Sequence, residues 1–353
     1  MNAHQIIYED HLHRIEFFPA QVPSNTVIVS FTERGGGTLD GRGFGGGFLH
    51  KKGFDVVAIK SKADRWYHDL PSDALSLTSR FLAACHRDYT VRAGYGSSMG
   101  GYAAIKFSRT LGLDKVLAIS PQTDISKEWD QRWKKEAQDI GTFAAIVESD
   151  IRPETTYSVA YDPFDPDGIH VSILSSIIPP DRLIKVRVPF AGHPVGFLLQ
   201  SAGVLGDVAL SAFRGEVFPD HRMKTRAARA SSAPHLAHMS RMARAARKSR
   251  WARILIERSL DLDGLNAENV ILASQLAEEG GDLPQALRYS ALAAALSPMN
   301  PYIIATTARH LEKTGHIKQA LNFIIRSCEL APDHQPFKVD KIRLQHSLSG
   351  SHA

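Results

Sequence analysis

The sequence predicts an α/β protein, in which a mostly parallel, doubly wound sheet is followed by an all-α helical-repeat domain. Two observations lead to this prediction. Short runs of β-branched residues alternate with helix-like stretches up to about residue 212, and such alternation is typical of a parallel sheet covered on both faces. From about residue 215 onward the patterns are helical only, and part of this region repeats every 34 residues.

Six segments are predicted strands because each is short, rich in β-branched residues and bounded by turn or polar residues. They are 26–31, 54–60, 90–96, 115–120, 156–161 and 183–190. Between strands, residues 71–88 and 99–112 carry apolar side chains at helical spacing and are predicted helices. Residues 121–154 contain an amphipathic, tryptophan-bearing stretch, which predicts a helical lid over the carboxyl edge of the sheet. The first domain is expected to span 1–215.

The carboxyl part contains an internal repeat. Four residues recur at an offset of 34, namely Gly281, Ala286, Leu287 and Pro298 as Gly315, Ala320, Leu321 and Pro332. A glycine between two helices, a small residue where they cross and a closing proline at this period resemble the tetratricopeptide repeat. Moving back another 34 residues places Ala252 under Ala286, so 233–266 is a candidate degenerate first repeat, and 335–350 is a candidate capping helix. We expect a basic linker at 216–235 and repeats over 236–353, with a protein partner or self-association through them.

The stretch Gly96-Ser97-Ser98-Met99-Gly100 fits the G-x-S-x-G pattern. Small residues on both sides are needed where a strained turn brings neighbouring chain close. Ser98 follows one predicted strand and precedes one predicted helix, which is the context that this pattern requires of a nucleophile. Here residues 10–212 resemble the α/β-hydrolase family.

The resemblance implies a catalytic triad in the order serine, acid, histidine. His193 follows the last predicted strand and would be the general base. The acid would come from the segment after strand 156–161, where Asp162, Asp165 and Asp167 all qualify. We favour Asp162, since it lies nearest the strand, with Asp165 as the alternative. For the oxyanion hole, the resemblance implies the backbone N–H of Met99 and one from Phe31 or Thr32.

Other candidate residues are weaker. Trp66 and Tyr67 follow a strand near the edge where substrate would bind, so they are candidates for stacking on a sugar or acyl group, with ordinary packing as the favoured alternative. His170 is predicted to lie on a helix surface. Gly41, Gly43 and Gly46 form a G-x-G-x-x-G, but no acid follows about 20 residues later at a strand end, so we expect a loop shaping the oxyanion side and no nucleotide. No cofactor is expected, and His11 and His13 lack a third metal ligand nearby.

Charge and composition exclude several classes of protein. Residues 222–258 hold eleven Lys or Arg and one acid, but their apolar positions favour a helix with one buried face, and no nucleic-acid module is recognisable. Cys85 and Cys328 form no C-x-x-C pair. No apolar run reaches about 18 residues, and no secretory signal is visible, so we expect a cytoplasmic protein without a membrane span.

The expected function is therefore that of a serine hydrolase acting on an ester. It would be an esterase, a deacylase or an acyltransferase, with a small-molecule or glycan ester as substrate and an acyl-Ser98 intermediate. The alternative is an interaction protein whose repeats bind partners while the hydrolase domain serves as a scaffold. A serine peptidase on the same fold is a weaker alternative.

Overall fold

One sheet of eight strands occupies the first part of the computed structural model, which describes residues 4–85 and 89–350. The chain forms two units, Met1–Ala228 and Arg229–Ala353, each with hydrophobic clusters of its own. The strands are β1 (Gln5–Glu9), β2 (His13–Phe18), β3 (Thr26–Phe31), β4 (Asp55–Ser61), β5 (Val91–Ser97), β6 (Lys115–Ile119), β7 (Thr156–Tyr161) and β8 (Leu183–Arg187).

The prediction of a mostly parallel sheet is confirmed. In space the strands follow the order β1-β2-β4-β3-β5-β6-β7-β8. The pairs β1–β2 and β2–β4 are antiparallel, and every other neighbouring pair is parallel. All six predicted strands form, although β8 ends at Arg187 and not at Phe190, where a φ of 60° turns the chain away.

Helices cover both faces of this sheet. In the first unit they are α1 (Gly46–Lys51), α2 (Ser72–Ala84), α3 (Met99–Lys106), α4 (Lys134–Ile140), α5 (Asp167–Ile177), α6 (Gly196–Ser201), α7 (Leu205–Arg214) and α8 (Arg222–Ala228). Successive strand side chains point to opposite faces. Val29 therefore packs with apolar residues of α2, α3 and α5, whereas Ile28 packs with those of α1, α6 and α7. The predicted helix 71–88 ends at Ala84, and its residues 86–88 lie outside the described residues.

The antiparallel hairpin of β1 and β2 was not predicted. Asp10 closes its turn, because one carboxylate oxygen accepts hydrogen bonds from the backbone N–H groups of Leu12 and His13 at 2.7 Å each. β1 is an edge strand with side chains that are exposed or half-buried, so it lacks the apolar alternation that marks a strand in a sequence.

The strand order changes direction at β3. Going from β3, the chain moves to β4 on one side and then to β5 on the other, so the carboxyl ends of β3 and β5 lie side by side at a crevice. Open α/β sheets bind ligands at such a switch point. The sharp turn at Ser98 between β5 and α3, which we call the elbow, therefore lies where a ligand site is expected in this architecture.

Residues 121–154, which we call the lid segment, are largely non-regular. They contain the short 3₁₀ turns Gln131–Trp133 and Glu148–Asp150, with α4 between them. The segment is tied to α3, since the hydroxyl of Tyr102 donates to the carbonyl oxygen of Ala144 at 2.6 Å and Lys106 pairs with Asp150 at 2.8 Å.

The second unit confirms the predicted helical repeats. Its helices are α9 (Ala233–Ala245), α10 (Ser249–Leu262), α11 (Ala267–Glu279), α12 (Leu283–Leu296), α13 (Pro301–Lys313), α14 (Ile317–Leu330) and α15 (Gln335–Gly350). The crossing residues Ala252, Ala286 and Ala320 are fully buried, as a close helix crossing requires. The candidate capping helix is α15.

The degenerate first repeat is also confirmed. Gly281 and Gly315 occupy the turns of the second and third hairpins with φ of 82° and 83°. Arg247 occupies the same position in the first hairpin, with φ of 57°. Side chains are disfavoured in this left-handed region, so the backbone of the first hairpin has the repeat geometry although it has no glycine at this position.

The boundary between the two units lies after Ala228, within the segment 216–235 that was predicted to be a linker and later than residue 215. The first unit extends to Ala228, and Ala228 packs into one of its hydrophobic clusters. His221 binds the carbonyl oxygen of Arg187 at 3.0 Å, which fixes the segment before α8 to the end of β8. In the described residues no helix is both long and apolar enough to cross a membrane.

Candidate active site

Ser98 lies on a strained turn between β5 and α3. Its φ is 52°, in the left-handed region that non-glycine residues avoid at a cost of about 1–3 kcal/mol. A Cβ on Gly96 would lie 2.2 Å from the carbonyl oxygen of Gly100, and one on Gly100 would lie 2.4 Å from that of Phe31. Both glycines are therefore required by close backbone approach, and the elbow packs directly on the end of β3.

The structure brings Ser98 and His193 together as predicted. Nε2 of His193 lies 2.8 Å from Oγ of Ser98, although the two residues are 95 positions apart. Oγ also lies 3.3 Å from the side-chain oxygen of Gln122, a longer contact than the one to Nε2. Ser98 is only 5% exposed, so the hydroxyl lies in a nearly closed site.

The acid that orients His193 is Asp167, and the preference for Asp162 is wrong. Nδ1 of His193 lies 3.0 and 3.1 Å from the two carboxylate oxygens of Asp167. Asp167 is the first residue of α5 and is fully buried. Because the carboxylate accepts from Nδ1–H, Nε2 is left as the acceptor that faces the Ser98 hydroxyl.

Asp162 has a different role because it lies closest to the end of β7. Its carboxylate accepts from the backbone N–H groups of Phe164 and Phe190 at 3.0 Å each and of Gly192 at 2.8 Å. These bonds hold the loop that carries His193. Both carboxylate oxygens of Asp162 therefore accept from backbone N–H groups, and neither contacts the imidazole of His193.

Asp165 is not the acid either. Its carboxylate pairs with the guanidinium of Arg132 in the lid segment. Burial, followed by the charge of Asp167, raises the pKa of Asp165 to about 6. Burial would also raise the pKa of Asp167, but the charges of His193 and Arg132 hold it well below its usual range. Of the two neighbouring carboxyl groups, Asp167 is the one that stays ionised beside the imidazole.

Arg132 joins the lid segment to this centre, and sequence reasoning missed it. Its guanidinium binds Asp130 through two bonds of 2.7 Å and donates to Asp167 at 3.0 Å. Asp130 in turn lies 3.1 Å from Nε2 of His170. The prediction that His170 lies on a helix surface is wrong, because it is fully buried in this network with Nδ1 accepting from the N–H of Thr123.

Trp133 packs against the ring of His193. Its ring meets that of His193 edge-on, with centroids 5.2 Å apart, and it meets the ring of Trp66 in the same way at 5.4 Å. Trp66 and Tyr67 are both buried, and the hydroxyl of Tyr67 donates to the carbonyl oxygen of Thr32 at 2.9 Å. The burial of both side chains favours ordinary packing over the candidate role in stacking on substrate.

Of the three backbone N–H groups predicted to donate to an oxyanion, two are already paired within the sheet. The N–H of Thr32 already donates to the carbonyl oxygen of Ile59 at 3.3 Å, and Phe31 lies in the ladder of β3. These two positions are therefore poor donors to a substrate. Met99 begins α3 directly after Ser98, so its N–H belongs to the unpaired first turn of that helix.

Two further residues near Ser98, His193 and Asp167 were not predicted. The Ser120 hydroxyl, at the end of β6, accepts from the N–H of Val195 at 3.1 Å and helps to lower the pKa of Asp167. Gln122 contacts Ser98 from the start of the lid segment. Both residues follow β6, and the position of polar residues directly after a parallel strand is the sequence signal that could have indicated them as site residues. Among the described residues no cluster of potential metal ligands occurs.

The chain matches no protein-family model and no curated protein sequence. Solved structures that are similar to it include tetratricopeptide domains. The first tetratricopeptide domain of Spaghetti, bound to an HSP90 peptide, is 15% identical, covers 34% of this chain and 95% of its own, and has a TM-score of 0.33. The Sgt2 tetratricopeptide domain from Aspergillus fumigatus is 13% identical, with coverage of 34% and 81% and a TM-score of 0.32. The Arabidopsis OM64 domain is 17% identical, with coverage of 33% and 98% and a TM-score of 0.32.

Proposed function

We propose that the first unit is a serine hydrolase of the α/β-hydrolase type that cleaves carboxylic esters through an acyl intermediate on Ser98. The observation that carries this proposal is the unbroken contact series from Ser98 to His193 to Asp167, at 2.8 and 3.0 Å, with the serine on a strained strand-to-helix elbow. A structural turn has no need of a half-buried histidine that is oriented toward its serine by a carboxylate.

The chemistry follows from these contacts. His193 takes the Ser98 proton on Nε2 as Oγ bonds to the ester carbonyl carbon, and Asp167 stabilises the imidazolium that forms. The N–H of Met99 donates to the developing oxyanion. His193 then gives its proton to the leaving alkoxide as the carbon–oxygen bond breaks. Water, or an acceptor hydroxyl in an acyltransferase, repeats the sequence in reverse to release the acyl group.

Covalent labelling tests this proposal without knowledge of the substrate. A fluorophosphonate should label the full chain at Ser98, and Ser98→Ala should abolish labelling and lower ester turnover by on the order of 10⁶. Ser97→Ala is the matched control, because Ser97 is the adjacent buried serine at the end of β5, and it should still be labelled. Labelling at Ser97, or undiminished turnover in Ser98→Ala, would contradict the proposal.

A second candidate function belongs to the second unit. We propose that its helical hairpins bind a protein partner or a second copy of the chain. Supporting this are the six paired helices with a 34-residue period, since stacked hairpins of this kind build extended surfaces suited to peptides and proteins. This role would stand even if the first unit were only a scaffold.

Removing the second unit separates the two candidates. A chain ending at Ala228 keeps the triad and both clusters of the sheet. We expect its fluorophosphonate labelling rate to stay within about twofold of the full chain, while any self-association seen by sedimentation is lost. A folded fragment that fails to label would place part of the catalytic machinery in the second unit.

A further inference from the structure

Side chains hold the carboxylate of Asp167 in place. In the part of the chain that the structure describes, its partners are Nδ1 of His193, Nη2 of Arg132 at 3.0 Å and the hydroxyl of Ser120, and no backbone N–H group donates to it. Asp162, by contrast, is held by three backbone N–H groups. Because side chains rotate about several bonds, the position of Asp167 depends on what fixes its partners.

Arg132 reaches Asp167 from the lid segment with its own guanidinium fixed. Nε and Nη2 donate to the two carboxylate oxygens of Asp130 at 2.7 Å each, which is a bidentate pair, and Nη1 donates to Asp165. The second hydrogen of Nη2 remains for Asp167. The planar fork of an arginine can serve three carboxylates at once, whereas the ammonium group of a lysine is a point charge.

Asp130 is itself fixed by the helix that carries Asp167. Nε2 of His170 lies 3.1 Å from the carboxylate of Asp130. Nδ1 of His170 accepts from the backbone N–H of Thr123 at 3.0 Å, so the ring carries its proton on Nε2 and donates it to Asp130. His170 is three residues after Asp167 on α5, which places both side chains on one face of the helix. The contacts that run from Asp167 through the lid segment to His170 therefore close a ring on α5.

This ring of contacts is largely closed to solvent. The side chains of Asp130, Asp167 and His170 are fully buried, and that of Arg132 is 24% exposed. A buried carboxylate that loses a cationic donor either moves toward another donor or stays uncompensated at a large cost in free energy. We therefore expect that loss of Arg132 displaces the carboxylate of Asp167 from Nδ1 of His193.

We propose that Arg132 is a positioning residue, which fixes the carboxylate of Asp167 against Nδ1 of His193 from the lid segment. Resting on the proposed esterase function, this makes a competent triad depend on a residue of the lid segment. Arg132 acts through Asp167 and does not touch the reacting atoms, so it should affect the rate of acylation and not the binding that precedes it.

Inactivation of the full chain by a fluorophosphonate measures the two quantities separately, as a rate constant at saturation and a half-saturating concentration. Arg132→Gln should lower the rate constant by about 10²-fold, the effect of misplacing a positioned group by about 1 Å, and leave the half-saturating concentration within about threefold. Arg132→Lys keeps the charge and should recover about tenfold of that loss. An unchanged rate constant in Arg132→Gln would overturn the proposal.

Lys106→Gln is the matched control. Lys106 also ties the lid segment through an ion pair, with Asp150 at 2.8 Å, and its side chain is 16% exposed. None of its contacts within the described residues reaches Asp167, so its rate constant should stay within about twofold of that of the unsubstituted chain. An equal loss in Lys106→Gln and Arg132→Gln would mean that any weakening of the lid segment slows acylation, and the specific role of Arg132 would be wrong.

Combining Arg132→Gln with Asp167→Asn tests whether Arg132 acts through Asp167. Residues that act as a unit have strongly non-additive effects, so the double variant should be no more than about threefold slower than Asp167→Asn alone. A further loss of about 10²-fold would give Arg132 an independent role and overturn the proposal. Should Arg132→Gln not fold, Arg132→Lys enters the same comparison with an expected single loss of about tenfold.

Proton NMR of the full-length Ser98→Ala protein separates this proposal from the esterase function. A proton held between an imidazole nitrogen and a carboxylate is strongly deshielded, and the signal of His193 is assigned by its loss in His193→Gln. This downfield resonance should be present in Ser98→Ala and disappear or move upfield when Arg132→Gln is added. That result supports the positioning role even if the fluorophosphonate labels no form of the chain, in which case only the esterase function is wrong. A resonance that Arg132→Gln leaves unchanged would overturn the positioning role, while labelling at Ser98 would still support the esterase function.

Discussion

Asparagine at position 167 would keep the shape of the aspartate but present an amide N–H₂ to Nδ1 of His193. Both carboxylate oxygens now lie within 3.1 Å of Nδ1, so the amide can donate to it from almost the same place. That contact favours the tautomer with the proton on Nε2, which cannot accept the Ser98 proton. We therefore expect Asp167→Asn to slow acylation on the order of 10⁴-fold, which corresponds to about 5.5 kcal/mol.

Asp162→Asn is the matched substitution, since Asp162 is five residues away and equally buried. The amide oxygen can keep the bonds to Phe164 and Phe190, but the N–H₂ group then faces the N–H of Gly192, which now donates at 2.8 Å. Losing one buried bond to a charged acceptor should cost about 2–3 kcal/mol of the free energy of unfolding. Because Gly192 precedes His193, displacement of this loop should slow acylation by up to about 10²-fold.

The rate constant for inactivation by a fluorophosphonate measures acylation, and urea denaturation measures stability. The expected pattern is a large rate loss in Asp167→Asn and a large stability loss in Asp162→Asn. A rate loss of less than about tenfold in Asp167→Asn would refute its role as the triad acid. A greater rate loss in Asp162→Asn than in Asp167→Asn, with stability unchanged, would restore Asp162 to that role.

Two further predictions concern stability. Burial and the charge of Asp167 raise the pKa of Asp165 from the usual value of 3.8 to about 6. Between these two pH values the folded protein holds a proton on Asp165 that the unfolded chain has released. The free energy of unfolding should therefore fall as the pH rises from about 4 to about 6. The fall is about 3 kcal/mol, and urea denaturation across this range should show that it is absent in Asp165→Asn. An equal slope in the variant would assign the fall to another group. Arg247→Gly should stabilise the second unit by about 1 kcal/mol, since Arg247 has φ of 57°, whereas Gly281→Ala should destabilise it similarly. Thermal unfolding of both variants measures this, and a destabilised Arg247→Gly would contradict it.

The sequence predicted those parts of the fold that have strong local signals. All six parallel strands carry β-branched runs, and the repeats carry an exact period. The hairpin of β1 and β2 lacks such a signal because β1 is an exposed edge. The boundary was misplaced because the basic composition of 216–235 is typical of a linker, whereas the structure buries Ala228 and fixes His221 to β8.

The contact between Ser98 and His193 was predictable because the roles proposed for them are tied to the ends of strands. A nucleophile follows one strand directly, and the base follows the last strand, so order along the chain is enough. The position of the acid is not determined in this way, because several carboxylates follow the same strand. Three aspartates within six residues follow β7, and order alone favours the first of them.

Competition between partners decides among these three carboxylates. The one nearest the strand end lies beside the loop after β8, so backbone N–H groups of that loop occupy Asp162. The choice between the other two depends on Arg132, which lies more than 30 residues earlier in the lid segment and binds both. Burial beside Asp167 raises the pKa of Asp165, while His193 and Arg132 keep Asp167 ionised. The identity of the acid is thus a property of three segments that meet only in the folded chain, and residue order cannot contain it.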